Sequence, residues 1–320
     1  EGAKAAQTAP HTPAGLQQFV VHRNGVSSNP VPFAVSELPE TLEKEPNDSP
    51  ACAQKLKLPV IVNGRIGKPD DEDVFQFQGR SGQVVVLEVA ARRLASPLDS
   101  IVKLTDPDGK LLVLNDDRED LASGLNTHHA DSYVMATLPA DGSYHVHLGD
   151  AARRGGPEYA YRLRVSDPLP NFALRVVPSS VSFRSQGSAS LTVYAIRQDG
   201  FDGDIKLDLK DPPPGFKTAG AKLTAGQPSA RITIRTSLAT TDGPVSLRIA
   251  GTATAQGTIV VQEAVPAEDR MQAFLWRHLV PAQELTAIVY DPKFTPPPQR
   301  VPPELTRAQL DKASAVVAEA

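Results

Sequence analysis

The sequence predicts an all-β chain of tandem β-sandwiches that ends in one short helix. Three observations carry this. Apolar and polar residues alternate at period two through Phe75 and Phe77, through Val85, Leu87 and Val89, through Tyr144, Val146 and Leu148, and through Tyr159, Tyr161, Leu163 and Val165, the pattern of strands buried on one face. Turn chemistry separates the segments, as in Asp106-Pro107-Asp108-Gly109 and Ala140-Asp141-Gly142-Ser143, where proline presets φ and glycine admits positive φ. The 29 prolines and 22 glycines are spread through all 320 residues, which suits many short strands rather than helices.

At this length two or three domains are expected. Residues 1–13 are small and polar and are expected to be disordered. Leu16–Val21 and Val31–Val35 read as strands around Asn24-Gly25. Two strands cannot bury a core, so residues 1–40 are expected to be the closing part of a domain, or a hairpin that pairs with something else. Asp167-Pro168-Leu169-Pro170 is the cleanest linker, dividing a unit at 41–168 from one at 169–292. In the second unit Phe172–Val177, Ser190–Arg197, Asp204–Leu209, Ala230–Arg235, Val245–Ile249 and Thr258–Val261 read as six short strands of an immunoglobulin-like sandwich. Asp211-Pro212-Pro213-Pro214-Gly215 cannot be a central strand, because three successive residues lack an N–H donor. Met271–Val280 and Leu285–Tyr290 read as a terminal hairpin around Pro281, with a helix over Ala267–Leu279 as the alternative and Phe274 and Trp276 as anchors. Residues 293–320 follow as a stiff Thr295-Pro296-Pro297-Pro298 linker and a helix, with Thr306 and Gln309 as capping box and Leu305 stapling to Leu310.

Two acidic patches dominate the candidate chemistry: Glu43-Lys44-Glu45-Pro46-Asn47-Asp48 and Asp70-Asp71-Glu72-Asp73. Pro46 disfavours a helical Glu45, and an extended stretch sets Glu43, Glu45 and Asn47 on one side. Asp71 and Asp73 share a face by the same period, just before Phe75 and Phe77 turn inward. Oxygen donors crowded this way suit a hard cation such as Ca²⁺, and equally a solvated acidic turn beside a polar linker. Asn115-Asp116-Asp117 with Asp131 offers a second oxygen-rich cluster, for which a surface turn is the better reading and an ion site stays open.

Glu43-x-Glu45-Pro46-Asn47-Asp48, Val62-Asn63-Gly64-Arg65-Ile66, Asp71-Glu72-Asp73-Val74-Phe75-Gln76-Phe77, Asn115-Asp116-Asp117 and Leu138-Pro139-Ala140-Asp141-Gly142-Ser143-Tyr144 fall in order along residues 43–165. This stretch resembles the bacterial pre-peptidase C-terminal (PPC) domain, as carried by multi-module surface proteins of planctomycete type. The resemblance implies a jelly-roll-like sandwich that is non-catalytic, stabilised by calcium and similar to the collagen-binding modules of collagenases. Carried over residue by residue, it implies calcium ligands Glu43, Glu45, Asn47, Asp48, Asp71 and Asp73, with the register among Asp70, Asp71, Glu72 and Asp73 open by one residue. Gly25-Val26-Ser27-Ser28-Asn29-Pro30-Val31-Pro32-Phe33 resembles the closing strands of a transcription-factor-type immunoglobulin (TIG) module.

Other chemistry finds little support. His145 and His147 would lie roughly 7 Å apart on one strand face. Tyr144, Val146 and Leu148 take the buried face, so both histidines are expected to face water rather than zinc, and His128-His129 adds no cysteine partner. No Gly-x-Ser-x-Gly elbow is present. Arg92-Arg93 and Arg153-Arg154 read as solvated loop tips. Cys52 reads as a small buried apolar residue. The net charge of -4 and pI of about 6.0 give no basic field for nucleic acid, and no run of eighteen apolar residues could span a membrane.

The expectation is therefore an exported protein, extracellular, at the cell surface or periplasmic, without catalysis of its own. It would serve binding, adhesion or spacing, with a protein or polysaccharide as partner. The alternatives are the accessory region of a secreted hydrolase whose catalytic domain lies elsewhere, and a structural subunit of an envelope assembly. The narrow stripe of Leu310, Ala313 and Val317 cannot hold a helix folded alone, so the tail is expected to dock, on another chain or on the second sandwich. Deleting 303–320 should leave the melting of the 41–168 unit unchanged while weakening any complex the chain forms. A loss of about 2–5 kcal/mol per leucine removed would instead place the helix in that unit's core.

Overall fold

The computed structural model describes residues 12, 15–23, 25–118, 131–271 and 277–293. The expectations for the N-terminal residues, for His128-His129, for Phe274 and Trp276, and for the C-terminal linker and helix lie outside that set. The described residues form β-strands and two short 3₁₀ turns, as the period-two pattern requires.

Residues 40–166 build two five-stranded sheets. One runs Leu111–Asn115, Ser100–Thr105, Gly142–Asp150, Glu72–Gly79, Gln54–Lys55; the other runs Tyr133–Thr137, Val84–Ala90, Ala160–Ser166, Val60–Arg65, Glu40–Leu42. Phe75, Phe77, Tyr144, Val146 and Leu148 from the first sheet are fully buried with Val85, Leu87, Val89, Leu163 and Val165 from the second. Phe77 stacks on Tyr144 with ring centroids 5.8 Å apart, and the Tyr144 hydroxyl donates to the Ala140 carbonyl at 2.6 Å, so its buried polar end is satisfied.

The two edge strands decide where the site forms. Glu40–Leu42 lies parallel to Val60–Arg65, and Gln54–Lys55 lies parallel to Glu72–Gly79 in the opposite sheet. The intervening residues therefore cross from one sheet to the other. Strands of three and two residues are too short to leave a periodic signal, and the sequence reading contains neither. Cys52, expected to be buried, is exposed. It sits on the Pro50–Cys52 3₁₀ turn of this crossing, with Sγ 3.1 Å from Ser49 Oγ.

The second unit is also layered. Phe216–Thr218, Ser229–Thr236, Ser188–Gln198 and Asn171–Val177 run side by side into the long strand Thr258–Met271, which continues the path through Ile249–Ala255, Ile205–Leu209 and Ala221–Leu223. Ser180–Arg184, Leu285–Tyr290 and Val245–Leu247 form a separate three-stranded sheet. Phe172, Leu174, Phe183, Ile205 and Ile234 lie in its core. The expected hairpin around Pro281 is corrected: Arg277–Pro281 pairs back onto Thr258–Met271, while Leu285–Tyr290 joins Ser180–Arg184 and Val245–Leu247. The alternative helix over 267–279 is likewise excluded for its described residues. At Pro266 the long strand leaves Asn171–Val177 and takes Arg277–Pro281 as partner, so a proline that reads as a break marks a change of partner. The N-terminal strands Gly15–Phe19 and Val31–Val35 pair antiparallel, extended by the short ladder His22–Arg23 with Val26–Ser27.

An ionic joint ties the units together. Asp199, buried and in the left-handed region at φ 51°, accepts from Arg164 at 2.7 and 3.0 Å, from the Tyr133 hydroxyl at 2.9 Å and from the Leu169 N–H at 2.8 Å. Arg164 also reaches Glu88 at 2.7 Å, and Arg93 bridges Glu88 at 3.0 Å and Asp131 at 2.7 Å. Arg93 is thus structural rather than a solvated loop tip, whereas Arg153 is exposed.

Burial raises the Glu88 pKa, but the Arg93, Arg164 and Arg118 guanidiniums outweigh it and hold the carboxyl at about 2. A depressed carboxylate pKa stabilises fully above the unfolded value near 4.5 and loses that contribution as pH falls toward the folded value. Glu88→Gln should therefore cost roughly 1.5–3 kcal/mol at pH 7, with the gap to wild type closing between pH 4.5 and 2. Urea unfolding across that window is the measurement, and a gap independent of pH would show that the charge of Glu88 is not what stabilises.

Candidate metal centre

The crossing segment brings the two acidic patches together. Glu43 follows the edge strand of one sheet, with its N–H bonded to Asn63 O at 3.0 Å. Its Oε2 accepts from the Arg65 N–H at 2.8 Å. Asn47 has already reached the other sheet, where its carbonyl accepts from the Val74 N–H at 2.8 Å. Asp73 lies on the inward face that Phe75 and Phe77 continue, and is fully buried. Asp71, in the loop before that strand, is buried with Oδ2 accepting from the Gly67 N–H at 2.7 Å.

All six residues that the resemblance implies as ligands meet here. Carboxylate oxygens of Glu43, Glu45 and Asp73 lie within 4.8 Å of one another, as do those of Glu45, Asp48 and Asp71. Asn47 adjoins the first group, its Nδ2 donating to Glu43 Oε1 at 3.3 Å. Glu45 belongs to both groups, so two adjoining positions share it. Of the second patch, Asp71 and Asp73 are the acids that join these groups: Asp70 points outward, 3.9 Å from Arg153, and Glu72 faces the other way toward Lys103 and His147.

Polar satisfaction is incomplete in one direction only. Asn47 Oδ1 and Asp73 Oδ1 are buried without a hydrogen bond, and Asp71 Oδ1 has only the Lys68 ammonium at 3.5 Å, an arrangement costing about 1–3 kcal/mol per group when nothing compensates. Like charges add to this. Burial, then the Glu43 carboxyl, push the Asp73 pKa well above the usual carboxylate range. Burial, then neighbouring carboxylates, also raise Glu45. Lys68 Nζ, 3.3 Å from Asp48 and 3.5 Å from Asp71, offsets the outer group from an exposed position. These residues fit a calcium ion. The donors are all oxygen, as a hard cation prefers over softer metals. Ligand distances near 2.4 Å allow two donors on one ion to stand up to about 4.8 Å apart.

Two residues at the site are not among the sequence-derived ligands. The Tyr161 hydroxyl lies 2.7 Å from Asp73 Oδ2 and 3.0 Å from Glu43 Oε1. Gly64, inside a strand, is what lets the Tyr161 ring lie so close. Both left a signal: a tyrosine on a core face needs a partner for its hydroxyl, and a strand-interior glycine marks a close approach.

The other candidates resolve differently. Asp131 spends its carboxylate on the Ala91 and Arg92 N–H groups at 3.0 and 2.7 Å and on Arg93, and Asn115 bridges Tyr133 N–H and Asp117 O. They serve as turn ties, and the metal-spaced groups among the described residues do not include them. His145 and His147 lie opposite the buried face as expected, but His147 is not left to water. Its Nδ1 is 3.2 Å from Glu72 and its Nε2 3.3 Å from Thr105. Among the described residues no helix is long and apolar enough to cross a membrane.

Comparison with known proteins adds a partial match. The chain matches no established family model. It is 34% identical over 136 residues to a probable subtilase-type serine protease of Deinococcus radiodurans, a stretch covering 41% of this chain and 16% of that protein. Two solved structures overlap it weakly: a DUF4785 family protein of Legionella pneumophila, at 12% identity and TM-score 0.25 over 81% of this chain and 71% of that one, and fibronectin(III)-like modules of Clostridium thermocellum CbhA, at 12% identity and TM-score 0.17 over 62% and 93%. Scores this low carry no argument.

A Cβ placed on Gly64 would run into the Tyr161 ring and hydroxyl and stand 2.9 Å from Glu43 Oε2. Gly64→Ala should therefore destabilise by about 1–3 kcal/mol through overpacking and lower cation affinity with it. Thermal unfolding and a calcium titration check both effects. Tyr161→Phe keeps the ring and isolates the hydroxyl. Unchanged unfolding in Gly64→Ala would show that Tyr161 is not wedged at the site.

Proposed function

We propose that residues 41–168 are a calcium-stabilised, non-catalytic sandwich of the PPC type, serving as an accessory module for binding, adhesion or spacing in an exported protein. The two buried, unbonded oxygens of Asn47 and Asp73 carry this proposal, because they converge with the Glu43, Glu45, Asp48 and Asp71 carboxylates at the point where the chain passes between its sheets. A calcium ion there would supply charge neutralisation and a cross-link between the two edges. The module would need no catalytic group of its own. The match to part of a subtilase-type protease favours one specific variant, in which such a module accompanies a secreted hydrolase domain. Which activity it accompanies belongs to that proposal as well.

Calorimetry in calcium and in chelator is the test. An ion that binds only the folded state stabilises by about 2.7 kcal/mol at a hundredfold excess over its Kd, so the unfolding temperature should rise with calcium and the rise should vanish in Asp73→Asn. Fitting the titration to one or two ions distinguishes separate occupancy of the groups that Glu45 joins. An unfolding temperature indifferent to calcium would sink the proposal.

A further inference from the structure

One part of the outer face of the second sandwich, short of the long strand that carries exposed Glu263, presents charge of one sign. Its four adjacent strands Phe216–Thr218, Ser229–Thr236, Ser188–Gln198 and Asn171–Val177 contain no aspartate or glutamate. Ile232, Ile234, Leu191, Val193, Leu174 and Val176 take the core side. The opposite side then presents a grid fixed by strand register: Lys217 beside Arg235 beside Ser188, Thr233 beside Ser190, Arg231 beside Thr192, and Tyr194 beside Arg175. Lys217, Arg231 and Arg235 are exposed. Arg231 and Arg235 are four residues apart on one strand, roughly 13 Å by strand rise.

Two features of this face are unfavourable for folding alone. Lys217 and Arg235 stand directly opposite each other across two strands, where like charges destabilise. Arg175 is half-buried with Nε unbonded, and burial alone lowers its pKa, since no carboxylate opposes it. None of these four cations forms an ion pair among the described residues, although Arg93, Arg162 and Arg164 of the first sandwich all do. Beside Lys217 and Arg235 the surface dips into a concavity of about 500 Å³, also lined by Gln186, Ser188 and Ser237. Cations unopposed in a chain of net charge -4 are a local field, not a global one.

We infer that this face binds an anionic polysaccharide, whose carboxylate or sulfate groups pair with Arg231, Arg235 and Lys217 while Ser188, Ser190, Thr192 and Thr233 hydrogen-bond sugar hydroxyls. A flat strand face with hydroxyls between cations suits an extended glycan better than nucleic acid, because Tyr194 is the only ring on the grid for base stacking. The surface belongs to the second sandwich and does not depend on calcium in the first.

Affinity electrophoresis of the full chain through gels containing polygalacturonate, dextran sulfate or neutral dextran is the test, run with calcium and with chelator. Retardation is expected by one or both anionic polymers and not by neutral dextran. It should weaken as salt rises from 50 to 300 mM, and should fall at least tenfold in apparent affinity in the Arg231→Gln/Arg235→Gln variant. The polymer that retards tells carboxylate from sulfate. Both substitutions are at exposed positions, and an unchanged unfolding temperature confirms that the variant is folded. Retardation that persists in chelator separates this surface from the calcium proposal. Absence of retardation by both anionic polymers, equal retardation of the variant, or stronger binding of a single-stranded oligonucleotide of matched charge would overturn the inference.

Discussion

The first sandwich depends on the crowding of carboxylates where its chain passes from one sheet to the other. Residues 43–53 must leave the edge of one sheet and arrive at the edge of its partner, and the passage is fastened by single side-chain and backbone bonds rather than by a strand ladder. Glu43 reaches back to the Arg65 N–H, and the Asn47 carbonyl takes the Val74 N–H. The same passage drives Asp73 into the core beside Tyr161. Apolar residues there would close the sheets with less electrostatic penalty, so a buried proton on Asp73 or a cation among the oxygens is what makes this arrangement tolerable.

The second constraint is the joint around Asp199. A single buried aspartate collects the Arg164 guanidinium, the Tyr133 hydroxyl and the N–H of Leu169 in the connecting segment. Asp167-Pro168-Leu169-Pro170 therefore reads as a linker in composition yet is tied down in the structure. Removing Asp199 would leave Arg164 with Glu88 as its one carboxylate partner, which is how breaking one member of a buried ion network becomes more damaging than the worth of one bond.

Much of this was legible because burial follows period two. Tyr144, Val146 and Leu148 point inward as the alternation requires, and the same alternation run backward from Phe77 and Phe75 places Asp73 among core residues. The six clustered residues were legible as a group because they fall in two short runs. What stayed hidden depends on register. The edge strands at 40–42 and 54–55 are too short for a period, and the strand expected over Thr258–Val261 runs on through Pro266 to fourteen residues. Arg93 looked like half of an exposed basic pair, since nothing local announces Asp131 thirty-eight residues later. The basic grid leaves no signal in the sequence because its cations lie on separate strands, each unremarkable until pairing aligns them.

The contact between Tyr161 and Glu43 spans 118 residues, and that separation bears on the order in which the fold can close. Closing so long a loop is entropically late, and contacts of high sequence separation set the pace of β-sandwich folding. The oxygens at the crossing cannot all be in position until the Ala160–Ser166 strand has docked between Val60–Arg65 and Val84–Ala90. During synthesis the amino-terminal edge of the sandwich thus waits for its last strand, and the acidic cluster comes into being only as assembly finishes.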